Sequence, residues 1–131
     1  MITLDIVSRQ RVEMIDITGE VSRAIAASGI ASGLALLQVP HTTAAVTINE
    51  NADPDVARDI VMELNKVIPF DDRYRHGEGN SAAHIKSSLV GASEMLIVEG
   101  GGPVLGTWQG VYFCEFDGPR HRKLHIQVIG G

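Results

Sequence analysis

Between Thr107 and Phe116 the segment TWQGVYFCEF carries bulky side chains on both faces of one extended stretch. Trp108, Tyr112, Cys114 and Phe116 alternate with Gln109, Val111, Phe113 and Glu115, and a period of two puts the sets on opposite sides of a strand. A strand with one apolar face needs one covering layer. This one needs two, from a helix layer, a second sheet or another subunit. Cys114, among apolar neighbours, reads as a small core residue with an inert thiol.

The other segments supply such layers. Ile2, Leu4 and Ile6 alternate with Thr3, Asp5 and Val7, and Val12–Ile17 reads as a second short strand, so the two are expected to form a hairpin. Thr18 is placed to cap a helix whose face carries Val21, Ala24, Ile25 and Ser28 and which stops at Gly29. Residues 33–39, GLALLQV, are too apolar and too short for a surface helix and read as a central strand, punctuated by Pro40. The β-branched segment AAVTINE follows. Asp53-Pro54 is a strong helix start, N-cap followed by proline at the first helical position. That helix should run to about Val67, with Val56, Ile60, Leu64 and Val67 on one face and Pro69 enforcing the stop. Ser81 can cap a short helix ending at Gly91, and residues 94–99 form a strand. Gly100-Gly101-Gly102-Pro103 supplies a turn rather than a phosphate loop, because the P-loop lysine pattern is missing. Asp117-Gly118-Pro119 turns the chain into a last strand with Leu124, Ile126 and Val128 on one face, an expected closing hairpin. The strands and the two to three helices read here make a single domain, 1–131.

Composition narrows the partners. A net charge of -5 and a pI near 5.4 deny the chain the basic surface that nucleic-acid binding needs. The N-terminus lacks a cationic segment followed by an apolar run, and no apolar stretch reaches the length of a membrane span. The single cysteine rules out an internal disulfide and fits a reducing compartment, so a cytoplasmic setting is expected. Against the acidic background, cations gather at Arg73, Arg75 and Lys86 and again at Arg120, Arg122 and Lys123, which reads either as two solvated turns or as two places that receive a small anion.

The stretch from Tyr74 to Gly91, YRHGEGNSAAHIKSSLVG, spends its positions on groups that coordinate, donate or titrate. His84 falls in the first turn of the short helix, where an anion would also feel the helix N-terminus. His41 stands at the break between two strands, where irregular backbone can aim a side chain into a crevice. In Asn49–Asp53, NENAD, Asp53 is explained by its cap, whereas Glu50 and Asn51 are open to a role as general base or as partner of a histidine, or to plain solvation at a strand end.

Taken together, PHTTAAVTINENADPDV, RHGEGNSAAHIKSSLVG and LGTWQGVYFCEFDGPR resemble the YjbQ family over nearly the whole chain, with GTWQG especially specific. The resemblance implies an α+β fold with a sandwich-like, largely antiparallel sheet core, assembly as a homotrimer and secondary thiamine-phosphate synthase activity. That reaction joins 4-amino-2-methyl-5-hydroxymethylpyrimidine diphosphate to a thiazole phosphate and releases pyrophosphate. The family pattern falls on His41, Thr42 and Thr43; on Asn49, Glu50, Asn51 and Asp53; on His76, Glu78, His84 and Lys86; and on Trp108, Gln109 and Glu115.

Three imidazoles with one open position are the arrangement by which zinc holds a water or a substrate oxygen. His41, His76 and His84 are therefore the candidate metal ligands, for zinc or magnesium; the alternative is three histidines lining a wet crevice. Glu50, Lys86 and Glu115 are the candidate catalytic residues. Asn49, Asn51, Arg75, Trp108 and Gln109 are candidates for binding a small phosphorylated substrate, with Trp108 either stacked on a flat heterocycle or part of the core. Two classes stay open: a transferase or metal-dependent phosphate-ester hydrolase, and a metal- or anion-binding trimer without turnover.

Overall fold

The computed structural model describes Met1–Gly131. Its elements are β1 (Ile2–Val7), β2 (Glu13–Asp16), α1 (Thr18–Ala27), β3 (Gly33–Gln38), β4 (Ala44–Glu50), α2 (Pro54–Val67), α3 (Ser81–Val90), β5 (Ser93–Glu99), β6 (Gly102–Pro103), β7 (Gln109–Glu115) and β8 (His121–Gly130). They form two antiparallel sheets, one of order β1-β8-β3-β5-β6 and one of order β2-β7-β4. This is the expected α+β single domain with three helices.

The two-faced strand lies where its pattern requires. Val111 and Phe113 on β7 meet Ala35, Leu37, Leu96, Leu124 and Ile126 of the larger sheet in one core, which α1 closes with Val21, Ala24 and Ile25. The other face of β7 presents Tyr112, Cys114 and Phe116 to a second, smaller core with Ala45 and Ala83, against which Leu64 and Phe70 pack. The order of layers is therefore large sheet, small sheet, then α2 and α3. Complete burial of Phe113, Ile25 and Val21 contributes about 1.5–3 kcal/mol each, enough to decide which face of each element turns inward.

Local expectations held where the cause was local. Asp53 caps α2, its Oδ1 accepting the Asp55 N–H at 2.9 Å, with Pro54 in the first turn. Gly29, at φ +74, follows α1. Gly100 and Gly101, both at positive φ, make the two-residue turn that brings Val98 opposite Pro103.

Pairing across the chain differs from expectation. β1 and β2 do not form a hairpin: β1 pairs with β8 and β2 with β7. Nor do β7 and β8 pair with each other, because the Asp117–Arg120 turn carries the chain from the small sheet to the large one. By lying in different sheets β7 and β8 each take a strand on both sides, β2 and β4 for one and β1 and β3 for the other, which a local hairpin cannot supply. Thr18 is the first residue of α1 rather than its cap; its hydroxyl donates to Asp16 Oδ1 at 2.6 Å and accepts the Val111 N–H at 2.9 Å. Asn80, not Ser81, precedes α3 as its N-cap. On α2 the expected apolar face is only partly covered, with Val67 exposed. No helix is long and apolar enough to cross a membrane.

Candidate functional site

Two chain crossings between the sheets run side by side and make one wall of a cleft. The first is Val39–Thr43, from β3 to β4; the second is Phe116–Arg120, from β7 to β8. They are stitched together by Phe116 N–H donating to Thr43 O at 3.1 Å and by Lys123 N–H donating to His41 Nε2 at 2.9 Å. The start of α3 forms the opposite wall. The cleft has a volume of about 610 Å³, and its polar lining includes His41, Thr43, Asn80, His84, Arg120 and Arg122.

Arg122 is the most constrained charge there, 5% exposed. Its Nε donates to Glu115 Oε1 at 2.9 Å, and its Nη2 donates to Glu115 Oε2 and to Thr43 Oγ1 at 2.8 Å. Nη1 takes no part in these bonds. Glu115 is fully buried and also accepts from Ser8 Oγ at 2.6 Å and from the Asp117 N–H at 3.0 Å. Burial alone would raise its carboxyl pKa, but the bonds from Arg122, Ser8 and Asp117 outweigh it and hold the group below the usual range. Glu115, expected as a catalytic group, thus has its acceptor capacity committed to fixing Arg122 from behind.

His41 has a defined tautomer. Because Nε2 accepts the Lys123 amide, the ring proton sits on Nδ1, and the neutral imidazole is a donor at its other edge. Burial, then the charge of Arg122, lowers its pKa. Asp117 organises the far side: its Oδ2 accepts from Asn80 Nδ2 at 2.9 Å and from Arg120 Nη2 at 3.0 Å.

The candidate metal ligands do not converge in one chain. With Nε2 committed to an amide and Nδ1 protonated, His41 has no free lone pair for an ion. His76 and His84 meet edge to face, ring centroids 5.5 Å apart, and His76 Nε2 lies 3.7 Å from Glu78 Oε2. No group of three or more His, Cys, Asp or Glu side chains is arranged to hold a metal ion. A three-imidazole centre therefore does not fit the residues of a single chain. His84 instead forms a partition, lining the cleft on one side and a neighbouring cavity of about 400 Å³ with Tyr74, Arg75 and His76 on the other.

Lys86 lies outside the cleft. Two residues along a helix from His84 is about 200°, just over half a turn, so Lys86 points to the other side of α3, where it is fully buried. There Nζ donates to Asn65 Oδ1 and sits 4.1 Å from the Phe70 ring centroid, while Arg11 approaches the same ring at 3.5 Å. Burial, with Arg11 nearby, lowers its pKa to about 8.

The remaining candidates gather at the opposite end of β4, roughly 20 Å from His41 along the strand. Glu50 Oε2 accepts the Asp53 N–H at 3.2 Å, and Asn49 Oδ1 accepts the Glu50 N–H. Asn51 donates to Asp16 Oδ2 at 3.2 Å. Gln109 pairs across from Glu50. Trp108 precedes β7 and is 63% exposed, so it belongs to neither core. Within one chain these five do not reach the cleft.

Sequence reasoning passed over Asn80 and Asp117, carried Thr43 only as a family-pattern position, and weighed Arg120 and Arg122 only as part of a basic cluster. The available signal was the proximity of PHTT and EFDGPRHR to strand ends, where crossings between sheets place polar side chains.

A family model described as UPF0047 protein YjbQ-like matches residues 2–131. The chain belongs to the YjbQ-like UPF0047 family. The family's YugU protein from Bacillus subtilis is 57% identical over 129 residues, covering 98% of both chains. A UPF0047 protein from Methanocaldococcus jannaschii is 52% identical over 123 residues, 94% of this chain and 89% of that one. Among solved structures, a yjbq/upf0047 family protein from Clostridium acetobutylicum superposes with a TM-score of 0.96 at 52% identity, covering 98% of this chain and 100% of that one. A YbjQ-like protein of unknown function from Sulfolobus solfataricus gives 0.94 at 30% identity, covering 98% and 95%.

Proposed function

We infer that the His41–Arg122 cleft binds and turns over a phosphorylated small molecule. The reaction is the one the family resemblance implies, transfer of hydroxymethylpyrimidine diphosphate to thiazole phosphate. The observation that carries this reading is Arg122, a buried guanidinium clamped by Glu115 with Nη1 left over at a cleft that also holds Arg120. A fixed cation of this kind is costly to bury and suits a phosphoryl oxygen. In the transfer, the thiazole nitrogen bonds to the exocyclic methylene as the carbon–oxygen bond to the diphosphate breaks, and pyrophosphate departs with the bonding pair. Arg122, Arg120 and the Nδ1–H of His41 would neutralise that leaving group. His84, at the partition, would donate a hydrogen bond or a proton to the departing pyrophosphate oxygen.

Assembly as a homotrimer goes with this reading. It is supported by the outer face of the large sheet, where exposed Leu34 stands in register with Ile97 and Ile129, and Met95 is exposed beside them. A zinc or magnesium centre on His76 and His84 would need further ligands from a neighbouring protomer. A cytoplasmic setting suits the buried free thiol of Cys114.

The test is pyrophosphate release from the two substrates by the purified protein. His84→Ala and Arg120→Ala should each cut turnover by roughly 10²-fold while leaving the fold intact. Binding of phosphates without turnover would instead establish an anion-binding protein, and unchanged turnover in both variants would remove the cleft from the reaction. Release from the diphosphate alone would identify a hydrolase.

A further inference from the structure

No residue of α2 is buried, although the helix is 14 residues long and apolar along one side; α1 and α3 each bury at least three. The helix thus stands off the small sheet. Beneath it lies a cavity of about 370 Å³, floored by Met14 of β2, Thr47 of β4 and Cys114 of β7 and walled by Ile60 and Leu64 of α2 and Val90 of α3. Protein interiors pack as densely as organic crystals, so a hollow of this size leaves its lining without the dispersion contacts that a filled one would supply. No charged side chain lines it, and it shares no residue with the His41–Arg122 cleft. Its polar groups come from β4, where Thr47 and Asn49 alternate with Val46 and Ile48 and so share the helix-facing side with Ala45. Asn49 is exposed, at the mouth of the cavity, and its Oδ1 accepts the Glu50 N–H, which leaves the amide Nδ2 as a donor.

We propose that this cavity is a second binding site, for an uncharged aromatic molecule of about two fused rings that carries a hydrogen-bond acceptor at one end. The size follows from the volume, since an apolar cavity of about 150 Å³ takes up a single benzene. Neutrality follows from the lining, where an ion would be stripped of water and meet no counter-charge. The acceptor follows from Asn49 Nδ2 and the Thr47 hydroxyl at one end, with the rings lodged between Leu64 and Cys114. Walls from three strands and two helices bound the space, so it admits a small molecule rather than a length of chain. The site stands whether or not the cleft binds phosphate.

Methionine reports on it. The chain has four, of which only Met14 lines the cavity, while Met1 and Met95 are exposed on the side of the large sheet. The full chain, labelled with carbon-13 at the methionine methyls, is titrated with 2-naphthol and with 2-naphthoate near neutral pH. Naphthol should shift the Met14 signal saturably and leave Met1 and Met95 in place, and naphthoate should bind about 10-fold or more weaker. Thr47→Leu fills the cavity and should weaken naphthol by about 10-fold or more. Shifts at Met95 matching those at Met14 would reveal general adhesion to exposed apolar surface and overturn the site. Unchanged binding in a folded Thr47→Leu would do the same, placing naphthol in the hollow that Met14 also borders beside Ala57 and Val61. A Met14 signal that moves with protein concentration alone would make a second copy of the chain the occupant. Should Thr47→Leu fail to fold, the contrast between the two probes in the wild-type protein decides, and equal binding of both overturns the proposal.

Discussion

Glu115 and Arg122 form a buried pair in which the guanidinium donates through Nε and Nη2 to both carboxylate oxygens. The pair joins the end of β7 to the start of β8, strands of different sheets, so it fixes the crossing that makes the cleft.

Removing one partner strands the other. Glu115→Gln should lower unfolding free energy by about 3 kcal/mol, measured by urea denaturation, because Arg122 keeps its charge without compensation. The folded-state pKa of Glu115 is depressed, so its contribution is present above the unfolded carboxyl value and lost as pH falls through the folded one. The acid limb of the stability curve should accordingly be shallower in the variant.

Gly118 sits against this network. A Cβ there would meet Gln10 O at 2.2 Å and Glu115 Cγ and Ser8 Oγ at 2.8 Å. Backbone on one side and the clamped carboxylate on the other leave little room to yield. Gly118→Ala should cost about 2 kcal/mol or more in thermal or chemical unfolding and weaken phosphate binding with it. Gly77→Ala, where nothing lies within 4 Å of the new Cβ, is the control and should be near neutral.

The pKa of Lys86 is also lowered, but for the opposite reason: burial disfavours its charged form instead of partners favouring it. Its folded pKa of about 8 lies below the ordinary 10.5, so between these values the unfolded chain binds a proton that the folded chain does not. Stability should therefore rise as pH climbs from about 8 towards 10.5. Lys86→Met should abolish this rise and gain roughly 1 kcal/mol at neutral pH, since it removes a buried charge with only Asn65 and Phe70 for company. Unchanged pH dependence in the variant would assign the rise to other groups.

His41 should be neutral at pH 7 with its proton on Nδ1, as the Lys123 amide requires. Nitrogen-15 imidazole shifts distinguish the two tautomers directly, and a proton on Nε2 would contradict the geometry. His41→Ala should weaken ethyl phosphate binding by about 10-fold through loss of that donor.

Much of the fold was legible in the sequence because its causes lie within a few residues of their effects. The period of two in β7 announced a layer on each side, and two cores are there. Asp53-Pro54 announced the start of α2, and the Gly100-Gly101 pair announced a turn. For the site, the sequence singled out His41 and His84 near element boundaries, and the structure puts both on the lining of one cleft. It could not say what lies opposite them.

What only the tertiary structure decided is partnership between residues far apart in the chain. Lys86 looked like a neighbour of His84 because two positions are close in sequence, yet a helix turns them to opposite sides. Glu115 looked free to act as a base, but Arg122 reaches it only because the Asp117–Arg120 crossing changes sheets. Glu50, Trp108 and His41 carry one family pattern, yet β4 holds its two ends apart. Local periodicity fixes which side of a strand or helix a residue occupies. Which other segment covers that side is set by burial summed over the whole chain, and no short stretch contains that sum.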